Sequence, residues 1–127
     1  MKNKNQILGE LGEMVAVKYL AKSKYKLIST NYKTKAGEID IIAKDRSHLV
    51  FIEVKTRETG EFLTPSEAVN KEKQAKIKTS AELFLRKHVK KDISYRFDII
   101  EVISNDNQNF HLNHIKSAFA YFFESCT

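Results

Sequence analysis

Asp40, twelve intervening residues and then Glu53-Val54-Lys55 set two carboxylates and an amine on neighbouring apolar segments. The segments Gly37-Glu38-Ile39-Asp40-Ile41-Ile42-Ala43-Lys44 and Leu49-Val50-Phe51-Ile52-Glu53-Val54-Lys55-Thr56-Arg57 flank a polar Asp-Arg-Ser-His turn at 45–48, the pattern of a β-hairpin. A four-residue loop pairs Lys44 with Leu49, which sets Asp40 opposite Glu53 and Glu38 opposite Lys55. Opposed side chains on paired strands stand about 5 Å apart. Two like charges at that distance repel by roughly 3 kcal/mol at an effective dielectric near 20, so something must offset the Asp40–Glu53 couple. Lys55 and Arg57 can do part of this, and so can a shared proton. A bound Mg²⁺ or Mn²⁺ does it fully, because hard dications prefer carboxylate oxygens. That last choice is chemically productive: the cation polarises a phosphoryl oxygen and acidifies a bound water, while Lys55 orients the water or stabilises developing charge. The plainer alternative is a salt-bridge network in which Lys55 pairs with Glu53 and Glu38 and does nothing else.

Other elements must hold that hairpin. Leu8, Leu11, Val15 and Tyr19 recur at helical spacing over 5–22, with Gly9, Gly12 and Ala16 on a flank where the backbone is expected to approach a neighbour closely. Glu13 falls beside that flank and Glu10 points to solvent. Residues 27–33 read as a strand. Thr64-Pro65-Ser66-Glu67 combines a cap, a first-turn proline and a capping-box glutamate, and predicts a helix running to about His88. Strands are expected over 95–103 and 110–113, and a short helix over 117–124. Both hairpin strands are apolar on both faces, as central strands covered by helices are, and the long helix suits a parallel crossover. The expected fold is α/β: a three-layer α/β/α sandwich with a mixed five-stranded sheet and core order αβββαβ. Four glycines, one proline and no linker in 127 residues predict a single domain, 1–127.

The formal charge of +6 is unevenly spread. Residues 1–26 carry +4, 27–64 carry 0, 65–91 carry +5 and 92–127 carry −3. The surplus therefore sits on the two helical segments, where it is either a solvated face or a contact for a phosphate backbone. Lys73, Gln74 and Lys76 on the second helix, with Arg57 at the hairpin, are the candidate nucleic-acid contacts. A single cysteine, Cys126, excludes an internal disulfide. The N-terminal segment lacks the apolar run of a signal peptide, and the longest apolar run, 118–123, is too short to span a bilayer. A cytoplasmic protein without membrane contact is expected. His111 and His114 do not align on a strand, so no zinc site is expected with Cys126. The aromatic residues Phe119, Tyr121, Phe122 and Phe123 suit a core or a homodimer contact.

Asp40 followed by Glu53-Val54-Lys55 resembles the PD-(D/E)xK nuclease signature, with Ile39 where that motif has proline. Gly9-x-x-Gly12-Glu13-x-x-Ala16-x-x-Tyr19-Leu20, Gly37 to Ala43, Val50 to Arg57 and Arg96-Phe97-Asp98-Ile99-Ile100 together are similar to the YraN-like family of small bacterial proteins. That family is similar to archaeal Holliday-junction resolvases of the restriction-endonuclease-like superfamily, whose core has the same αβββαβ order. The resemblance implies that Asp40 and Glu53 ligate a metal, that Lys55 is the catalytic lysine and that Glu13 adds a carboxylate from the first helix. The expectation is a Mg²⁺- or Mn²⁺-dependent endonuclease hydrolysing DNA phosphodiester bonds, with branched DNA a candidate substrate. Its rivals are a nucleic-acid-binding protein that keeps the nuclease-like fold without cleavage, and a protein-interaction subunit whose charged hairpin is structural.

Overall fold

The computed structural model describes residues 1–58, 69–105 and 109–119. Helix α1 (Lys4–Lys22) is followed by strands β1 (Lys26–Thr34), β2 (Gly37–Asp45) and β3 (His48–Glu58), helix α2 (Lys71–His88), and strands β4 (Tyr95–Asn105) and β5 (Asn109–Phe119). The five strands form one mixed sheet in the order β1-β2-β3-β4-β5, antiparallel except for β3 beside β4. The chain is α/β, as expected, with β3 central.

Among the described residues, each face of the sheet carries one helix and one core. Ala16 and Leu20 of α1 pack on Ile41, Ala43, Val50, Ile52, Val54, Ile100 and Val102. On the other face, Ile77, Ala81 and Phe84 of α2 pack on Ile39, Ile42, Leu49, Phe51, Phe97 and Ile99. The three layers follow from this. Strands β2 and β3 read as continuous apolar runs because both of their faces are covered. Among the described residues no helix is long and apolar enough to cross a membrane.

Local chemistry sets the boundaries. Asn3 caps α1 by accepting from Gln6 N at 2.9 Å, and the Gln6 side chain accepts from Asn3 N at 2.9 Å. The buried stripe of α1 is Gly12, Ala16 and Leu20, whereas Leu11 is exposed, so the contact runs along the flank of Gly12 and Ala16 rather than the face of Leu11. Gly12 is the close approach: a Cβ there would overlap the Thr56 side chain of β3. Gly9 has open space, so its expected part in that approach is corrected.

Helix α2 starts at the Asn70 cap, whose Oδ1 accepts from Lys73 N at 2.9 Å, and not as one helix from Thr64. The Thr64-Pro65-Ser66-Glu67 signal itself lies outside the described residues. Two further expectations change. The fifth strand is eleven residues long rather than four, and Ser117–Phe119 ends it as strand rather than opening a helix. Residues 120–127 lie outside the described set.

Candidate active site

The hairpin register is the one that pairs Lys44 with Leu49. Pairing begins one step nearer the turn, at Asp45↔His48, so the loop is Arg46-Ser47 with Arg46 in the left-handed region (φ 59). The ladder runs to Ile41↔Ile52 and there it opens. Past this point β2 continues with β1 as far as Gly37↔Thr34, while β3 continues with β4 as far as Glu58↔Ser104. Asp40 and Glu53 are the first residues inside the resulting fork.

Two features make the fork. The Asp40 carboxylate accepts from Val54 N at 2.8 Å, so a side chain takes the place of the next main-chain rung. Across β1, Asn31 falls between the Thr30↔Ile41 and Tyr32↔Ile39 pairs with φ 52. Correspondingly, Ile39 packs with the α2-side core and Ile41 with the α1-side core, so the two-residue alternation breaks at Asp40. The expected cross-strand pair Glu38–Lys55 is therefore not formed: Glu38 pairs with Lys33 of β1.

Inside the fork, Glu53 is 4% exposed. Burial, the charge of Asp40 and a hydrogen bond with Asp40 push its carboxyl up to about 8, against which the Lys73 ammonium works. Lys73 Nζ reaches Glu53 Oε2 from α2 at 3.3 Å. From the opposite face α1 brings Glu13, whose carboxyl is raised by burial and by Asp40 and is hydrogen-bonded to the Asn31 side chain. The Gly12–Thr56 contact holds α1 low enough on β3 for this. Lys55 follows Glu53 by two residues and carries no ion pair among the described residues.

The structure thus joins Asp40, Glu53 and Glu13 electrostatically and adds Lys73 to them. It draws other candidates away. Arg57 is half-buried and ion-paired with Glu101. Gln74 Nε2 donates to Val69 O at 2.9 Å and steadies the start of α2. Lys76 remains exposed beside Glu72, at 3.6 Å. Lys78, counted above with the basic surplus, is only 7% exposed and lies over the Phe119 ring.

Asp40 and Glu53 fit a hard dication: two oxygen donors, one fixed by the backbone, share a position where like charge is under-compensated. Among the described residues no three His, Cys, Asp or Glu side chains converge into a larger ligand group.

A second buried ionic cluster was not anticipated. Asp98 on β4 accepts from Arg96 Nε (3.0 and 3.2 Å) and from Ser117 N (2.9 Å), and lies 2.7 Å from His114 Nε2. His114 Nδ1 lies 2.7 Å from Tyr19 Oη of α1. Arg96 also donates to Asp45 (3.1 Å) and Tyr25 Oη (2.9 Å). Burial raises the Asp98 carboxyl, but its hydrogen bonds outweigh that and hold it below the usual range. Arg-x-Asp on one strand face was the available signal; nothing local links it to Tyr19 or His114.

The model of the uncharacterised protein family UPF0102 matches residues 12–102, a span that contains Glu13, Asp40, Glu53, Lys55, Lys73 and Asp98. A UPF0102 protein of Clostridium botulinum strain 657 is 45% identical over 117 residues, covering 91% of this chain and 95% of its own length. One from Caldicellulosiruptor bescii is 46% identical over 114 residues, 88% of this chain and 96% of its own. The match runs from Gly12 within α1 to Val102 within β4 and takes in all of β1, β2, β3 and α2, and on these grounds the chain belongs to the UPF0102 family.

Proposed function

We propose that the β2–β3 fork is the active site of a metal-dependent endonuclease of restriction-endonuclease-like fold that hydrolyses phosphodiester bonds in DNA. One observation carries this reading: the half-buried Asp40 and the buried Glu53, hydrogen-bonded to each other, stand at the end of an interrupted ladder with, among the described residues, a single lysine ammonium against them. A saturated salt-bridge network has no need of such a deficit. Asp40 and Glu53 would hold Mg²⁺ or Mn²⁺, which when bound polarises a phosphoryl oxygen and acidifies water.

The chain's own groups supply the rest. Val54 N fixes the Asp40 carboxylate, so one ligand is oriented before any cation arrives. Lys55, without an ion pair among the described residues, holds the attacking water or meets negative charge developing on the phosphoryl group. Glu13, its carboxyl raised, is placed to exchange a proton at the edge of the site. The basic side chains of α2 stand over the same face and favour a polyanion.

Cleavage of linear, single-stranded and four-way-junction DNA with Mg²⁺ tests this. The expected result is metal-dependent cutting that falls by at least about a hundredfold in Asp40→Asn and in Lys55→Ala. A second reading is favoured by the lack of a three-residue ligand group among the described residues: a DNA-binding protein with this fold that does not cut. Salt-sensitive binding with no cutting that depends on Lys55 selects it.

A further inference from the structure

The cation that meets Glu53 comes from outside the hairpin. Lys73 occupies the third position of α2, where its backbone N–H is held by the Asn70 cap, while its side chain is 47% exposed. The anchor is fixed and the ammonium can move. Glu53, its partner, is nearly sealed from water, so the ion pair has one mobile and one immobile member.

We propose that Lys73 is an exchangeable counterion: its ammonium neutralises the Asp40–Glu53 pair in the cation-free protein, and a divalent cation taken up there displaces it onto a phosphate of bound DNA. The proposal deepens the nuclease reading and rests on it. A dication and an ammonium compete for the same carboxylate oxygens and repel one another. Once displaced, the Lys73 side chain has basic company. Lys76 is exposed one turn further along α2, and its Cβ lies 3.4 Å from where a Cβ would stand on Gly37, the first residue of β2 beside the β1–β2 turn that carries the exposed Lys35. Thr34 Oγ1 and Ser80 Oγ, 2.8 Å apart, tie that turn to α2. The basic edge is therefore built by two elements fixed to each other. Cation uptake moves one positive charge from the fork to this edge, so the cation tightens DNA binding and DNA tightens cation binding by the same factor.

The test uses the full chain with Lys73→Met, which keeps the aliphatic stem, and Lys73→Arg, which keeps the charge. Calorimetry with Mn²⁺ and no DNA is expected to show about tenfold tighter binding in Lys73→Met and near-native binding in Lys73→Arg. Fluorescence anisotropy with a short duplex follows, with Lys55→Ala added to every protein to block turnover. There, Mn²⁺ improves DNA affinity when Lys73 is present and much less in Lys73→Met, whose salt slope with Mn²⁺ is shallower by about one. Unchanged or weaker Mn²⁺ binding in Lys73→Met, or an undiminished Mn²⁺ effect on DNA affinity, overturns the exchange and leaves the nuclease reading standing. Absence of Mn²⁺ binding in the native chain overturns both.

Discussion

Asp98 on β4 and Glu53 on β3 are both removed from water, 0% and 4% exposed, on adjacent parallel strands where Ile52 is the register partner of Asp98. Their surroundings differ in one respect. Asp98 receives Arg96, His114 and a backbone N–H, whereas Glu53 receives another carboxylate and one half-exposed lysine. Desolvation pushes both carboxyls up; hydrogen bonds reverse it at Asp98, and Asp40 compounds it at Glu53. The Asp98 cluster joins α1, the end of β2, β4 and β5 through Tyr19, Asp45 and Tyr25. An ionised Asp98 only accepts, so the His114 ring donates to it from Nε2, and Nδ1 on the far side of the ring meets Tyr19 Oη. Every member has a partner, as in a structural lock. The fork is held short of positive charge, as in a site that awaits a ligand.

The largest effect expected from breaking this contrast is at the lock. Asp98→Ala leaves Arg96 and His114 without their shared anion and should cost about 3–5 kcal/mol in urea unfolding, with no comparable loss in Asp40→Asn. Next comes the cation. Mn²⁺ at a hundred times its dissociation constant should stabilise the native chain by about 2.7 kcal/mol, seen as a raised melting temperature, and should do so for Asp98 variants that still fold but not for Glu53→Gln.

Opposite pH signs provide a third test. Glu53, with a folded value near 8 against 4.5, contributes stability that is full below pH 4.5 and is lost as the pH rises toward 8. Asp98, lowered from 3.8, contributes stability that is present above pH 3.8 and is lost as the pH falls through its folded value. In Glu53→Gln, metal-free unfolding between pH 4.5 and 8 should lose its downward slope, with a gain of about 1–2 kcal/mol at pH 8. The acid limb set by Asp98 should stay in place.

The smallest effect separates two glycines of α1. Gly9→Ala should stabilise by up to about 1 kcal/mol, since the added methyl meets open space. Gly12→Ala must push α1 off Thr56, and should lower both stability and cleavage by withdrawing Glu13 from the fork.

Much of this was legible in the residues. The register of β2 on β3 followed from two apolar runs about a polar turn, and the parallel β3–β4 pair from the helix between them. The break at Asp40 was not legible, because it depends on a side chain replacing a backbone acceptor and on a left-handed Asn31. The close approach of α1 was legible in Gly12 and Ala16; that this flank and not the face of Leu11 is the buried one was not, because hydrophobic spacing gives small residues little weight. Strand β5 was shortened because its outward residues are polar and Ser117 is left-handed (φ 51). The Asp98 lock draws on Tyr19 and His114, 95 positions apart, and no periodicity connects them.

The bond from Val54 N to Asp40 gives position 40 two occupations at once. A chain that drifted to alanine there would lose a candidate ligand and also leave a backbone N–H without its acceptor, so selection for folding alone opposes the change. Asparagine keeps the carbonyl oxygen and with it the rung, so it is the short side chain that would give up the proposed ligand while retaining the sheet. On the proposed function, relatives that bind without cutting are expected to carry Asn at this position before any other replacement.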